Sequence, residues 1–291
     1  MIRHHFTVDV EEYFHARALE PWISRDEWGS RESRVDESID VLLELLDEAA
    51  VRGTFFVLGW LAERRPGLVR RIAAGGHEIA SHGWAHRPVP TLHPRDFRES
   101  IRRTKCCLEE VCDQEVVGYR APNFSIGPHQ HWALDVLMEE GYLYDSSIFP
   151  VRRPGYGYPG APGDPAWVKR PGGAILEFPP ATLRVLGLNL PAGGGAYFRT
   201  LPEGLVHRAF EGAQRRMVPG TFYIHPWELD PGQPALPVSP LVRMRHYHGL
   251  DRTEGRLRRL LGTFSFRSIR ETLDENDLQP AIRASRTIRA R

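Results

Sequence analysis

Cysteine is scarce: there are three in 291 residues, Cys106, Cys107 and Cys112, all inside one stretch of helical character. Their spacing matches no zinc framework and adjacent cysteines rarely pair with each other, so the sequence predicts three reduced thiols and no disulfide scaffold. Long apolar runs are also missing. No stretch of about 18 apolar residues occurs, and no spanning helix is expected. The opening MIRHHFTVDVEEYF has neither an apolar h-region nor a small-residue cleavage site. These absences together predict a cytoplasmic protein without a secretory signal, either free or peripherally associated with a membrane. Neither sign of charge is in excess: 38 basic residues against 37 acidic ones demand neither nucleic acid nor an anionic membrane as partner. No internal repeat is found, which excludes a solenoid.

What is present is apolar material with a rhythm. Hydrophobic residues make up 41% and charged residues 26%, the composition of a globular protein with a sizeable core. The length suits a single α/β barrel of about 250 residues. The β-rich runs HHFTVDV, TFFVLG, HEIASHG, EVVGYRAP and TFYIHPWE alternate with helical patterns. Val35, Ile39, Leu42 and Leu46 recur at helical spacing before Gly53, and Pro94 opens a helix with Phe97, Ile101 and Leu108 on one side. Strands alternating with helices predict parallel βαβ units and the α/β class. The Pro- and Gly-rich residues 149–173 predict a long loop, whose Tyr156, Tyr158 and Trp167 either line a sugar groove or pin the loop down. The tail QPAIRASRTIRAR predicts a frayed, basic end.

The chemistry gathers in four places. SHGWAHRP sets His82 and His86 four apart. On a helical turn that spacing brings Cβ atoms roughly 5–6 Å apart, which suits two imidazoles on one ion, or two ordinary core histidines. In TVDVEEYF, strand alternation puts Asp9 and Glu11 on one face, where buried acids need a cation, a metal or solvent. In GYRAPNFS, Arg120 follows an apolar strand and Pro122 stiffens the turn; a guanidinium there holds a carboxylate in a bidentate pose or forms a structural ion pair. In TFYIHPWELD, His225 ends a strand just before a proline. All four lie at the C-terminal ends of expected strands, which form one rim in a parallel barrel.

Taken in order, TVDVE, SHGWAHRP, RAPNFS and IHPWE, together with GTFFVLG and GGHEIASHGWAH, resemble the polysaccharide deacetylase family, whose fold is the NodB homology domain, over roughly residues 5–230. The cluster also resembles the subgroup associated with bacterial exopolysaccharide export loci, which carries an additional C-terminal region. The resemblance implies a distorted, incomplete, seven-stranded (β/α) barrel over residues 1–230. Residues 231–291 would then be a C-terminal extension packing on or completing the barrel, with a flexible basic tail. It implies hydrolytic N-deacetylation of N-acetylated amino sugars in a bacterial polysaccharide or its precursor. A divalent metal would take part, zinc ahead of cobalt, nickel or manganese.

Carried over by position, Asp9 matches the family's catalytic base, His82 and His86 its metal-binding histidines, Arg120 the arginine that orients the base, and His225 the general acid. The commoner motif has two adjacent aspartates. Here Val10 follows Asp9, and alternation favours Glu11 over Glu12 as the acidic ligand. Asp145, in YDSSIFP, is a candidate support for His225. The backbone N–H of Asn123 is a candidate oxyanion donor, and Trp84 and Trp227 are a candidate wall beside the acetyl methyl group. His246 and His248 are expected at the surface or at the substrate's edge. Two alternatives stand beside this reading: a metal-independent hydrolase of small cyclic amides or ureides on the same fold, and a non-catalytic carbohydrate-binding relative. The second is disfavoured because acid, base, arginine and ligands all remain as residue types.

Overall fold

A computed structural model describes residues 2–153, 156–275 and 288–289. Its strands in chain order are β1 (His4–Val10), β2 (Thr54–Val57), β3 (Glu78–Ser81), β4 (Gly118–Tyr119), β5 (Tyr144–Asp145), β6 (Ala166–Arg170), β7 (Gly173–Glu177), β8 (Thr182–Val185), β9 (Leu188–Pro191), β10 (Thr221–Ile224), β11 (Phe266–Arg267) and β12 (Ile288–Arg289). The helices are α1 (Val35–Glu48), α2 (Gly59–Arg64), α3 (Pro66–Ala74), α4 (Pro94–Cys112), α5 (Trp132–Glu139), α6 (Gly195–Thr200), α7 (Glu203–Arg215), α8 (Pro240–Tyr247), α9 (Leu250–Thr263) and α10 (Ile269–Asp274). Among the described helices none is long and apolar enough to cross a membrane.

Seven strands run parallel in the order β10-β1-β2-β3-β4-β5-β7. Between β7 and β10 the ladder gives way to isolated bridges, Pro180 with Thr221 and Gly194 with Tyr223. Pro180 has no N–H to donate; its neighbour Ala181 donates to the Thr221 carbonyl at 2.8 Å, and Tyr223 donates to the Gly193 carbonyl at 2.8 Å. The glycines permit this close approach: a Cβ on Gly194 would lie 1.8 Å from the Tyr223 carbonyl oxygen. The result is the expected seven-stranded, distorted (β/α) barrel, and its distortion sits where the β8–β9 hairpin leaves the ring.

Alternation along β1 sorts its side chains between two cores. Phe6, Val8 and Val10 join Phe55, Val57 and the buried stripe Val35, Ile39, Leu42 and Leu46 of α1 in the outer core. The interior holds Phe56, Ala80, Tyr144, Leu176 and Phe178, and is closed from below by Ile269 of α10. There the Ile269 N–H donates to Thr54 Oγ1 and the Arg270 N–H to Glu78 Oε2, each at 2.8 Å. β11 pairs with His4 and His5 beneath the start of β2. Over the opposite rim, short 3-10 turns between Tyr13 and Ser30 bring Phe14, Leu19, Ile23 and Trp28 against Trp227, Val238 and Leu250.

Residues 149–173 are not loop to their end. Ala166 and Val168 are buried on alternate positions of β6, which pairs antiparallel with β7. Of the basic tail, β12 pairs with β6, while residues 276–287 and 290–291 lie outside the described residues.

Candidate active site

The rim at the C-terminal ends of β1, β3, β4 and β10 carries the polar side chains. Asp9 lies on β1 and Glu11 just beyond it; both are buried. His82 follows β3, and His86 is reached by a loop rather than a helical turn: Gly83 and His86 both have positive φ, +73° and 51°. The i, i+4 spacing therefore converges through backbone reversal, with Gly83 at a position glycine tolerates. His82 Nε2 stands 3.0 Å and His86 Nε2 2.9 Å from the same oxygen, Glu11 Oε1. The Nδ1–H of His82 donates to the Arg120 carbonyl at 2.8 Å, which fixes its tautomer and directs the Nε2 lone pair inward.

This trio fits a divalent metal. Ligand atoms of Glu11, His82 and His86 lie within 4.8 Å of one another in a buried setting, and with His82 Nδ1–H turned to the Arg120 carbonyl its Nε2 offers a lone pair beside the carboxylate, a pairing that a cation would satisfy. Two imidazoles and one carboxylate form the donor set of open catalytic zinc sites. Glu12 turns away and accepts from the Ser33 hydroxyl and, at 3.0 Å, from the Arg34 N–H.

Arg120, just beyond β4, is fully buried and held on all sides. Its Nη1 donates to Asp9 Oδ1 at 2.7 Å and to Thr7 Oγ1 at 2.8 Å; Nε and Nη2 donate to the carbonyl and hydroxyl of Ser146. The grip on Asp9 is thus one charge-assisted hydrogen bond, not the expected bidentate fork, because the other two nitrogens, Nε and Nη2, turn to Ser146. This leaves Asp9 Oδ2 directed toward His225, whose Nε2 is 3.9 Å away.

His225 ends β10 and is supported by Glu228, not by Asp145. Glu228 Oε2 accepts from both the backbone N–H and Nδ1–H of His225, at 3.1 and 2.9 Å. Arg199 of α6 donates to Glu228 Oε1 at 2.6 Å. Burial alone would raise the pKa of Glu228, but Arg199 and then His225 outweigh it and pull it to about 2. Burial lowers that of His225, yet Glu11, Glu228 and Asp9 together push it up to about 9. These carboxylates favour the protonated, donating form of the imidazole.

Two expected residues lie elsewhere. Asp145 is buried on β5, accepts from the Ser147 hydroxyl and pairs across strands with Glu177. Trp84 packs outside the rim, against Gly59 and beneath the Arg103 guanidinium, 3.4 Å from its ring centre. Asn123 and Trp227 do line the site, a cavity of about 350 Å³ whose floor includes Asp9, Glu11 and His86. Asn123 adopts φ 58°, and its side-chain Nδ2 is buried with no partner. Tyr156, Tyr197 and Tyr223 form much of the wall, and the Tyr156 and Tyr197 hydroxyls meet at 2.7 Å. Of the aromatics in the long loop, Tyr156 therefore reaches the site, whereas Tyr158 packs near His131 and Trp167 lies against the barrel interior. Of the two places expected for His246, the surface is wrong and the cavity's edge is where it lies: it is buried, lines the cavity, stacks on Trp227 at 4.5 Å and bonds Gln233 Oε1 at 2.8 Å.

Glu228 and Arg199 escaped the sequence reading. The glutamate sits three residues after His225 in HPWE, the spacing of a capping box, which was the available signal. Nothing local marks Arg199.

Residues 31–140 match the polysaccharide deacetylase family, and residues 146–274 match a domain of unknown function (DUF3473). The chain is 29% identical over 96 residues to a chitooligosaccharide deacetylase of Bradyrhizobium, covering 33% of this chain and 42% of that one. It is 35% identical over 88 residues to a peptidoglycan-N-acetylglucosamine deacetylase of Bacillus cereus, covering 30% of each. These matches span under half the length of either relative. A Mycobacterium smegmatis structure, described as a candidate polysaccharide deacetylase, superposes with a TM-score of 0.60 at 21% identity, over 96% of this chain and 92% of that one, and shares the fold. His82, His86 and Arg120 fall inside the first matched region, and the barrel draws strands from both regions. Over residues 31–140 the chain is thus similar to the polysaccharide deacetylase family, and the barrel as a whole shares the fold of the Mycobacterium smegmatis structure.

Proposed function

We propose that this chain is a metal-dependent carbohydrate N-deacetylase that hydrolyses the acetamide of an N-acetylated amino sugar to acetate and a free amine. The observation that carries the proposal is the convergence of Asp9, His82, His86 and His225 around Glu11, all but His82 lining one cavity. The relatives described as chitooligosaccharide and peptidoglycan-N-acetylglucosamine deacetylases support N-acetylglucosamine as the sugar. A divalent metal held by Glu11, His82 and His86, for which zinc suits the donors best, supplies Lewis acidity.

The remaining work falls to the chain's own side chains. Asp9, oriented by Arg120, takes a proton as a water oxygen bonds to the acetyl carbon. The unpartnered Nδ2 of Asn123 is a donor for a substrate oxygen in the cavity. His225 delivers a proton from Nε2 to the departing nitrogen as the C–N bond breaks; Glu228 holds Nδ1–H and so points Nε2 inward. Phe124, Tyr223 and Trp227 supply apolar wall for the methyl group and the sugar face.

The test pairs elemental analysis of untagged protein with acetate release from N-acetylglucosamine oligomers. About one divalent ion per chain, lost in His82→Ala, is expected for a three-ligand site. Asp9→Asn should keep the metal and lose about 100- to 10,000-fold in kcat. A metal-loaded protein that releases no acetate from any N-acetylated glycan, or a fully active Asp9→Asn, would overturn the proposal.

A further inference from the structure

The β8–β9 hairpin breaks two rules at once. Its two-residue turn is Leu186-Gly187, with φ 48° and 79°. Both central positions are left-handed, the conformation that selects Asn, Asp or Gly. A branched leucine there is strained, and it is also 98% exposed. The strands behind it repeat the anomaly. Cross-strand partners Leu183 with Leu190 and Val185 with Leu188 put four apolar side chains on one face. Of these Val185 is 40%, Leu188 67% and Leu190 42% exposed. The other face carries the Arg184–Asn189 pair. An amphipathic finger thus projects its apolar face and tip away from the protein.

We propose that this finger is a membrane-docking element that inserts its leucines into the surface of a bilayer bearing anionic headgroups. Its size argues against a protein partner. Stable protein interfaces draw on about 20–30 residues a side, whereas the finger offers five apolar side chains on a strip two strands, about 10 Å, wide. Lipid needs no complementary surface, and an interfacial element sinks its apolar face only about 5–10 Å. Charge points the same way. Arg184 lies on the polar face, α7 packs against β8 and carries Arg208 besides the ion-paired Glu211 and Arg215, and Asn189 Nδ2 donates at 3.0 Å to the Pro150 carbonyl, two residues before Arg152. Such a cationic collar suits the anionic layer just outside the acyl chains. The chain leaving β9 runs through Gly193 and Gly194 along β10 to Gly195, Ala196 and Tyr197 in the cavity wall. Docking would therefore hold the wall of the site near the lipid surface.

Co-sedimentation of the full chain with phosphatidylcholine vesicles, with and without phosphatidylglycerol, tests this. The chain should pellet with the mixed vesicles, less strongly at high salt. Leu186→Asn is the sharp variant: asparagine suits positive φ, so the melting temperature should hold or rise while vesicle affinity falls about tenfold or more. Leu186→Ser combined with Leu188→Ser should abolish pelleting. A wild-type chain that stays in the supernatant, or a Leu186→Asn chain that pellets equally, overturns the proposal. So does a dimer, seen by sedimentation velocity, that Leu186→Asn dissociates in the absence of vesicle binding, because the finger would then serve a second copy.

Discussion

Glu228 decides what His225 can do. A buried imidazole on its own would lose its proton; here Glu11, Glu228 and Asp9 outweigh burial and carry it up to about 9. A divalent cation on Glu11 would cancel that residue's share and leave Glu228, bonded at 2.9 Å, as the nearest support. Protonated His225 is the form that donates, so activity should fall as pH rises past its pKa. Removing the charge in Glu228→Gln lowers that pKa, and the alkaline limb of the kcat/KM profile should move to lower pH while metal content stays unchanged. The acidic limb, set by the base, should stay in place. An unmoved alkaline limb would show that His225 is not the group titrating there. The same residue shows what a sequence withholds. HPWE placed a glutamate three positions from the histidine, but a capping spacing does not say which side chain it will grip, and Asp145 was the residue expected instead.

At the scale of elements, Asp145 finds its own explanation. β5 and β7 set it opposite Glu177 in full burial, and no other residue donates to Asp145 Oδ2 or Glu177 Oε2, so a proton on one carboxyl is what lets the two bond each other. Burial, then the charge of Asp145, drives Glu177 well above the carboxylate range; burial carries Asp145 to about 6. The folded state thus holds a proton that the unfolded chain releases above about 4.5, so stability should fall as pH rises from there. Glu177→Gln keeps an acceptor for the Ile148 N–H and removes the titration. Its melting temperature should therefore decline less than the wild type's between about pH 5 and 8; parallel declines would refute a shared buried proton. The long helices α1 and α4 were legible because their apolar stripes repeat over 14 and 19 residues. The two-residue strands β4 and β5 are too short to carry a period. His82 and His86 were legible as a pair but not in their backbone, since i, i+4 spacing looks alike in a helix and in a loop reversed at Gly83 and His86.

At the scale of the whole molecule, the chain is tied together at its base. The last described helix inserts Ile269 among Phe56, Ala80, Tyr144 and Leu176, residues drawn from four strands. Around it, Thr54, Glu78, Tyr144 and the backbone of residues 269–270 share one hydrogen-bond network, and His5 reaches Thr272 at 2.9 Å. No sequence pattern announces such a plug, because Ile269 and Leu273 make only one apolar pair on a six-residue helix and the partners of Ile269 lie about 100 to 200 positions away. Burying Glu78 is costly without those donors, and burial already raises its pKa. The two family-matched regions should therefore unfold as one unit, with calorimetric and van't Hoff enthalpies agreeing. Ile269→Ala should cost about 2–5 kcal/mol in denaturant melts followed by tryptophan fluorescence and circular dichroism, with the two probes still coincident. A chain ending at residue 230 loses β11, α10 and the partners of Thr54 and Glu78 together, so it should not reach a cooperative native state. If that shortened chain melts sharply at the wild-type temperature, the base is an ornament and the barrel stands without it.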